Sequence, residues 1–227
     1  MKEGVIVKKN YVIFGEMGSG KDTVSKLLAH NHNMKSYNIG DTVRNLQYIL
    51  KKYNDINNNQ LWNELLETLK CYEGYINNAY TLSSEISFDA AEALNKIKKN
   101  ILNLSEDISE RRMLQIMADT LRTYNVNLLN YITIGQALKE NHNRFVIVGG
   151  RTYDDFYFYK NLNYTTIGVH CPVEIRAKRL LERDGVSQIK EKEHNTEIHV
   201  SEIVNKCDII INNNGSLDDL REMLNNI

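Results

Sequence analysis

The chain has 227 residues, of which 42% are hydrophobic, and this suffices for one α/β domain whose core needs neither disulfides nor a structural metal. Its formal net charge of −1 excludes a general electrostatic attraction to nucleic acid or anionic membranes, so basic residues are expected to act locally. Cys71, Cys171 and Cys207 form no Cys-x-x-Cys pair, and neither a signal peptide nor an apolar membrane span is visible, so a cytoplasmic protein with reduced thiols is predicted.

The first predicted element is a buried strand, residues 11–14, that leads into a glycine-rich turn and an amphipathic helix. The segment from Gly15 to Thr23, GEMGSGKDT, follows the pattern G-x-x-x-x-G-K-[ST] up to its last position, where Asp22 stands before Thr23. The glycines let several backbone N–H groups face one concavity, and the helix adds the positive end of its dipole. Together with the ammonium of Lys21, this pattern predicts a loop that binds the phosphates of a nucleoside triphosphate.

An alternative interpretation of the same segment is the dinucleotide-binding pattern G-x-G-x-x-G. It fails because Thr23 occupies the place of the third glycine after Gly18 and Gly20. The loop residues predicted to bind ATP are therefore Gly15, Gly18, Ser19, Gly20, Lys21, Asp22 and Thr23. Thr23 and Asp22 are also the predicted Mg²⁺ ligands. Lys21 is the predicted catalytic cation, and its ammonium is expected to be exposed.

The ending Gly-Lys-Asp-Thr resembles deoxynucleoside monophosphate kinases of the phage type and is similar to the Gly-Lys-Gly-Thr ending of adenylate kinases. A second strand, 34–39, leads to Gly-Asp-Thr-Val-Arg, in which Asp41 is the predicted N-cap of the next helix. By itself, Arg44 is equally consistent with a surface residue and with a ligand contact. The resemblance implies that Arg44 holds the phosphate of an acceptor, with Asp41 beside it.

Residues 45–140 are predicted to be mostly helical. Apolar residues at helical spacing form two predicted core stripes: Leu61, Leu65, Leu66, Leu69 and Tyr72, then Phe88, Ala91, Leu94, Ile97 and Ile101. In the helix 110–122, a step of about 100° per residue puts Arg111, Gln115, Ala118 and Arg122 on one stripe. This stripe is either a solvated face or the wall of a cleft for a base and a phosphate.

The same helix carries an Arg-x-Leu-Gln segment, whose first place is Arg111 or Arg112, with a further arginine seven residues after the glutamine. This resembles the phage-type kinases and the related animal phosphomevalonate kinases. The resemblance implies that Arg111, Gln115 and Arg122 bind the acceptor.

A third buried strand is predicted in the stretch 143–151, which ends at Gly149-Gly150-Arg151. Because ligands in open parallel sheets lie beyond the carboxyl ends of strands, Arg151 is expected at the working edge. The segment is similar to the Asp-Gly-x-Pro-Arg element of adenylate kinases, whose arginine contacts the acceptor phosphate. Gly149 stands near the place of the acidic residue. Asp22, Asp41, Asp154 and Asp155 remain open alternatives for a carboxylate near Mg²⁺.

A fourth strand, 165–170, precedes a helix with Arg176, Arg179 and Arg183 on one face. Three cations on one face repel one another unless an anion joins them, although an ordinary amphipathic surface is the alternative. The resemblance implies that this helix leads into a lid, 184–199. It also implies that Arg176 contacts ATP and that Arg179 and Arg183 stabilise the transferring phosphoryl group.

A fifth strand, 208–211, is followed by the run Asn212-Asn213-Asn214, to which no function is attributed by itself. The segment Asn214, Gly215 and Ser216 is similar to the loop that packs against adenine in these kinases. The resemblance therefore implies that these three residues bind ATP.

Five strands alternating with helices predict an α/β, doubly wound, five-stranded parallel sheet, which the resemblance orders 2-3-1-4-5. The predicted organisation is a single P-loop kinase domain: a core of 1–44, 141–183 and 200–227, a helical acceptor-binding insertion at 45–140, and the lid.

The activity implied by the resemblance is transfer of the γ-phosphoryl group of ATP, with Mg²⁺, to a nucleoside or deoxynucleoside monophosphate. A kinase for another small acceptor, of the phosphomevalonate or dephospho-coenzyme A type, is an open alternative. So is an ATP-binding regulator without turnover, because Asp22 and Gly149 depart from the motifs. Small-molecule nucleotides are the expected partners, with no nucleic acid or membrane, and a homodimer is compatible with the sequence.

Overall fold

The computed structural model describes residues 10–53, 57–78, 88–102, 110–184, 199–225 and 227. The chain divides into two compact units, which we describe separately. The sheet unit comprises the described parts of Met1–Tyr37 and His142–Ile227, and the helical unit comprises those of Asn38–Asn141. None of the helices in these ranges is both long and apolar enough to cross a membrane.

The sheet has five strands: β1 (Tyr11–Gly15), β2 (Lys35–Asn38), β3 (Phe145–Gly150), β4 (Thr165–His170) and β5 (Ile209–Asn212). Their order is β2-β3-β1-β4-β5. The central strand β1 pairs in parallel with β3, where Tyr11 faces Val146, and with β4, where Tyr11 faces Thr165. The predicted parallel sheet and its order are therefore confirmed.

The helices of the described residues are, in chain order, α1 (Lys21–Asn31), α2 (Ile39–Lys52), α3 (Asn59–Asn78), α4 (Ala90–Leu102), α5 (Glu110–Arg122), α6 (Leu128–Lys139), α7 (Tyr153–Asn161), α8 (Val173–Asp184), α9 (Val200–Val204) and α10 (Leu217–Leu224). Every residue of β1 is buried, as expected for a strand paired on both sides and covered on both faces. Ile13 packs in one core with Val24 and Leu28 of α1, and this packing fixes the start of α1 beside the end of β1.

Strand β3 contains a bulge at its carboxyl end. Ile13 pairs with Val148 but Phe14 pairs with Gly150, so Gly149 is the extra residue. Gly149 has φ 105°, in the left-handed region that side chains other than hydrogen disfavour. The acidic residue that the resemblance placed near this position is therefore incompatible with the backbone that the bulge adopts.

Helix α2 begins before Asp41. Its N-cap is Asn38, whose side chain accepts a hydrogen bond from the Gly40 amide at 2.8 Å. The predicted cap at Asp41 is wrong because the earlier asparagine satisfies the first turn, and Asp41 instead lies within that turn.

The predicted stripe on α4 also needs correction. Ala90, Ala93, Ile97 and Ile101 are buried, whereas Ala91 is exposed and Leu94 only half-buried. The buried face is shifted by one residue at the start of the helix, where small alanines leave the sequence pattern ambiguous.

Candidate functional site

The turn after β1 has the backbone of an anion-binding loop. Gly18 and Gly20 have φ values of 77° and 88°, and the Ser19 amide donates to the Glu16 carbonyl at 3.1 Å. Gly20 is the N-cap of α1, so the cap residue itself supplies no side-chain acceptor to the first amides of this helix. By contrast, α2, α7 and α10 are capped by Asn38, Thr152 and Ser216. The first amides of α1 lie at this glycine turn, and a helix N-terminus beside such a turn is a common binding site for an anion.

Lys21 is the first residue of α1 and is only 7% exposed. The expectation of an exposed ammonium is therefore wrong. Lys21 lies where the glycine turn joins α1, and side chains at such a junction have chain on both sides. A buried ammonium interacts more strongly with a phosphate than an exposed one, since less water screens it.

The guanidinium of Arg176, on α8, is packed against this loop. Its Nε donates to the Cys171 carbonyl at 3.1 Å, and one terminal nitrogen donates to the Met17 carbonyl at 3.3 Å. The other lies 3.1 Å from a carboxylate oxygen of Glu16. Arg176 is 5% exposed, so its charge is compensated inside the protein. The contact with ATP that the resemblance implies remains a prediction, and the observed contacts are with the loop itself.

Asn213 is a loop-binding residue that the sequence analysis missed. Its Nδ2 donates to the Ser19 carbonyl at 2.8 Å, and the residue is 4% exposed. The available signal was its place directly after β5, at the carboxyl edge of the sheet. Because Asn213 is one of three consecutive asparagines, the sequence alone did not distinguish it from its neighbours.

Arg179 and Arg183 differ from Arg176 in their surroundings. Arg179 is half-buried, and one terminal nitrogen lies 3.2 Å from the Asn213 carbonyl and 3.4 Å from the Cys171 sulfur. Arg183 is exposed, next to the predicted lid, of which residues 185–198 lie outside the described part of the chain. The three arginines therefore form a graded series from the loop toward solvent rather than a uniform row.

Cys171 contacts both Arg176 and Arg179 but is not suited to nucleophilic chemistry. Burial raises the pKa of its thiol, and the lowering effect of Arg179 and Arg176 only partly opposes this. The thiol is protonated at neutral pH and serves as an acceptor for Arg179.

Among the candidate carboxylates near a metal, two are engaged elsewhere. Asp155 is 1% exposed and accepts from the Arg151 and Thr152 amides at 2.9 and 3.1 Å, as part of the capping box of α7. Asp41 pairs with Arg44. In the described ranges, no group of three or more His, Cys, Asp or Glu could hold a metal ion. Asp22 and Thr23 lie exposed in the first turn of α1, where the prediction placed the ligands.

In the helical unit, Arg44 is about half exposed and its guanidinium lies 2.6 Å from Asp41. Gln115 and Arg122 of α5 are half-buried and flank the buried Met117 and Leu121, so their stripe is neither core nor fully solvated face. The side chain of Arg111 lies outside the described residues.

Arg151 belongs to the sheet unit and directly follows β3, half-buried. Its place at the carboxyl edge is the one that the sequence predicts. The convergence of Arg151 with the arginines of the helical unit on one phosphate remains a prediction.

The helical unit also contains a cleft of about 360 Å³. It is lined by Thr42, Asn45, Glu64, Glu67, Thr68, Cys71, Tyr72, Tyr75 and Gln136. Among the described residues that line it are two carboxylates and no arginine or lysine, and these residues repel a dianionic phosphate. None of the predicted acceptor residues whose side chains the structure describes is part of this lining.

The segment predicted to contact adenine is tied to α10. The Ser216 hydroxyl accepts from the Asp219 amide at 3.2 Å, and the Ser216 amide donates to the Asp219 carboxylate at 2.7 Å. Asn214, Gly215 and Ser216 are all exposed. The observed role of Ser216 is helix capping, and contact of the segment with a base stays a prediction.

No protein-family model matches this chain, and neither does any curated protein. Among solved structures, the chain is similar to TT1252 from Thermus thermophilus, with 14% identity, coverage of 95% of this chain and 94% of the other, and a TM-score of 0.50. At such low identity the likeness shows a shared fold alone.

Two further similar structures have lower TM-scores. The shikimate kinase of Aquifex aeolicus has 17% identity, coverage of 95% and 92%, and a TM-score of 0.42. The dephospho-CoA kinase of Campylobacter jejuni has 21% identity, coverage of 95% and 93%, and a TM-score of 0.43. These values are too low to carry an argument about activity.

Proposed function

We propose that this protein transfers the γ-phosphoryl group of ATP to a nucleoside or deoxynucleoside monophosphate, acting on small-molecule nucleotides in the cytoplasm. The observation that carries the proposal is the loop from Gly15 to Thr23. It joins two left-handed glycines, a helix start without a side-chain cap and a buried lysine in one turn.

The contacts around the loop explain how it would bind an anion. Arg176 and Asn213 bind the carbonyls of Met17 and Ser19. Carbonyl oxygens engaged in this way are not directed at the ligand, which leaves amide groups and Lys21 to face the phosphates. The dipole of α1 adds to the same attraction.

The reaction needs positioning and charge neutralisation rather than a covalent intermediate. Lys21 donates to oxygens of the transferring group, and Arg179 and Arg183 of α8 add positive charge that stabilises this group. Arg44, Arg111, Arg122 and Arg151 hold the acceptor, with Asp41 and Gln115. The attacking phosphate oxygen of the acceptor is already anionic, so no strong general base is required.

The exposed oxygens of Thr23 and Asp22 suit Mg²⁺, a hard cation that binds one or two protein oxygens together with substrate phosphates. The ion supplies further neutralisation of phosphate charge when bound. Every other contribution comes from side chains and amides of the chain.

The test is product formation from ATP with a panel of acceptors: ribo- and deoxyribonucleoside monophosphates of each base, phosphomevalonate and dephospho-coenzyme A. We expect ADP and a nucleoside diphosphate from at least one monophosphate. Turnover with only phosphomevalonate or dephospho-coenzyme A would establish the other acceptor class. ATP binding without any turnover would indicate a regulator.

Lys21→Ala is the first variant to measure. We expect a loss of transfer equivalent to at least ~3 kcal/mol on the barrier, as when one preorganised donor to the transition state is removed. Because Lys21 is buried, Lys21→Met is the control that keeps most of the aliphatic packing. The proposal expects Lys21→Met to unfold like the wild type and remain inactive. Activity in Lys21→Met would show that the ammonium is dispensable.

A further inference from the structure

Asn213 connects three parts of the sheet unit. Its amide donates to the His170 carbonyl at the end of β4 at 2.9 Å. Its side-chain Nδ2 donates to the Ser19 carbonyl at 2.8 Å, and its own carbonyl accepts from Arg179 of α8 at 3.2 Å. Asn213 therefore attaches the loop to both the sheet and the arginine-bearing helix.

The same side chain restricts Gly20. A Cβ placed on Gly20 would lie 2.2 Å from the Asn213 Nδ2, well inside contact distance. Gly20 also has φ 88°. The residue before Lys21 therefore has to be glycine for two independent reasons, its left-handed backbone and the close approach of Asn213.

We propose that Asn213 is a positioning residue that holds the loop in its phosphate-binding conformation. It binds the Ser19 carbonyl so that this oxygen is withheld from the anion, and it packs on Gly20 at the point where α1 begins. This inference rests on the proposed function, since the loop is positioned for a nucleotide only if it binds one.

An asparagine suits this position because it supplies a neutral donor. The donor is buried and bonds to a carbonyl oxygen. A buried carbonyl without a hydrogen-bond donor lowers the stability of the folded protein. An aspartate at the same place would present an acceptor to an acceptor and add a negative charge beside the triphosphate. The contact therefore discriminates between two side chains of nearly equal size.

The experiment compares Asn213→Ala and Asn213→Asp with Asn212→Ala, which alters the exposed preceding residue on β5. Mg·ATP binding is measured by calorimetry and stability by thermal unfolding. We expect roughly tenfold weaker ATP binding for Asn213→Ala, as for the loss of one buried hydrogen bond, and a larger loss for Asn213→Asp. Asn212→Ala is expected to bind like the wild type.

A merely structural role would lower the unfolding temperature of Asn213→Ala and leave the ATP affinity of the folded protein unchanged, and that result would overturn the inference. Wild-type protein that bound no ATP would overturn the proposed function first and this inference with it. The two failures are therefore distinguishable.

A second measurement needs no nucleotide. Gly20→Ala is expected to lower the unfolding temperature less in the Asn213→Ala background than in the wild type, because the 2.2 Å approach is absent there. Equal losses in both backgrounds would contradict the packing of Asn213 on Gly20.

Discussion

Thr23 and Asp22 are both exposed residues in the first turn of α1. The threonine stands one residue later than the metal-binding Ser or Thr of the G-x-x-x-x-G-K-[ST] pattern, because Asp22 occupies that place. A neutral hydroxyl and a charged carboxylate differ in what their removal does to a bound cation. Replacing each residue by a side chain of nearly the same shape therefore tests which of the two binds Mg²⁺ directly.

We expect Thr23→Val to weaken Mg²⁺ binding, and so to raise the Mg²⁺ concentration required for phosphoryl transfer, more than Asp22→Asn does. The reason is that Thr23 supplies the direct contact. The measurement is activity against Mg²⁺ concentration at fixed ATP, with unfolding followed in parallel. If Asp22→Asn raised the required Mg²⁺ concentration more than Thr23→Val, the direct contact would belong to the aspartate.

The residues of the loop itself could be predicted from the sequence, whereas the residues that hold the loop in place could not. The glycine spacing and Lys21 lie within nine consecutive residues, so a local pattern contains them. The contact between Asn213 and Ser19 joins residues 194 apart, and that between Arg176 and Met17 joins residues 159 apart. A periodic sequence pattern cannot predict contacts between residues so far apart, because they form only when β5 and α8 fold against the loop.

Among the secondary-structure elements, β3 has a bulge whose backbone favours glycine at position 149. The acidic residue of the similar family element is therefore disfavoured there. The extra residue Gly149 shifts the pairing of β1 so that Phe14 faces Gly150. A bulge of this kind bends the end of a strand and therefore redirects the next residues of the chain. Arg151 is the first residue after β3, so Gly149 contributes to the placement of the predicted acceptor arginine.

Gly149→Ala is expected to destabilise the protein by about 1–2 kcal/mol, the cost of a Cβ in a left-handed backbone. For a chain of this size the unfolding temperature should fall by about 2–8 °C. Gly74→Ala is the matched control, since Gly74 is exposed within α3 and a Cβ there would meet nothing within 4 Å. The same replacement should stabilise α3 by about 0.5–1 kcal/mol. Equal effects at the two glycines would argue against the strained backbone at Gly149.

The start of α2 and the buried face of α4 could not be predicted from neighbouring residues alone. Both Asn38 and Asp41 are good N-cap residues, and only the end of β2 at Asn38 decides which one begins α2. On α4, the alanines at positions 90, 91 and 93 are interchangeable in a periodic pattern, so the pattern places the start of the buried face one residue too late. The strands, in contrast, followed from apolar runs in the sequence, and their order was implied by the family resemblance.

At the scale of the whole molecule, the proposed donor and acceptor residues are distributed unequally. The phosphate loop, Asn213 and the arginines of α8 all belong to the sheet unit. The acceptor residues on α2 and α5 belong to the helical unit, and Arg151 is the acceptor residue assigned to the sheet unit. Arg151 is therefore the residue whose assignment decides between donor and acceptor sites.

Replacing Arg151 with lysine keeps the charge but removes the planar fork that binds two phosphate oxygens together. We expect the apparent KM for the monophosphate to rise while ATP affinity hardly changes. Arg144→Lys is the control, because Arg144 precedes β3 at its opposite, amino end and should leave both affinities near wild type. If calorimetry on Arg151→Lys showed ATP binding impaired and monophosphate binding untouched, Arg151 would belong with Lys21 in the donor site. In that case the acceptor phosphate would have to be held by the arginines of the helical unit alone.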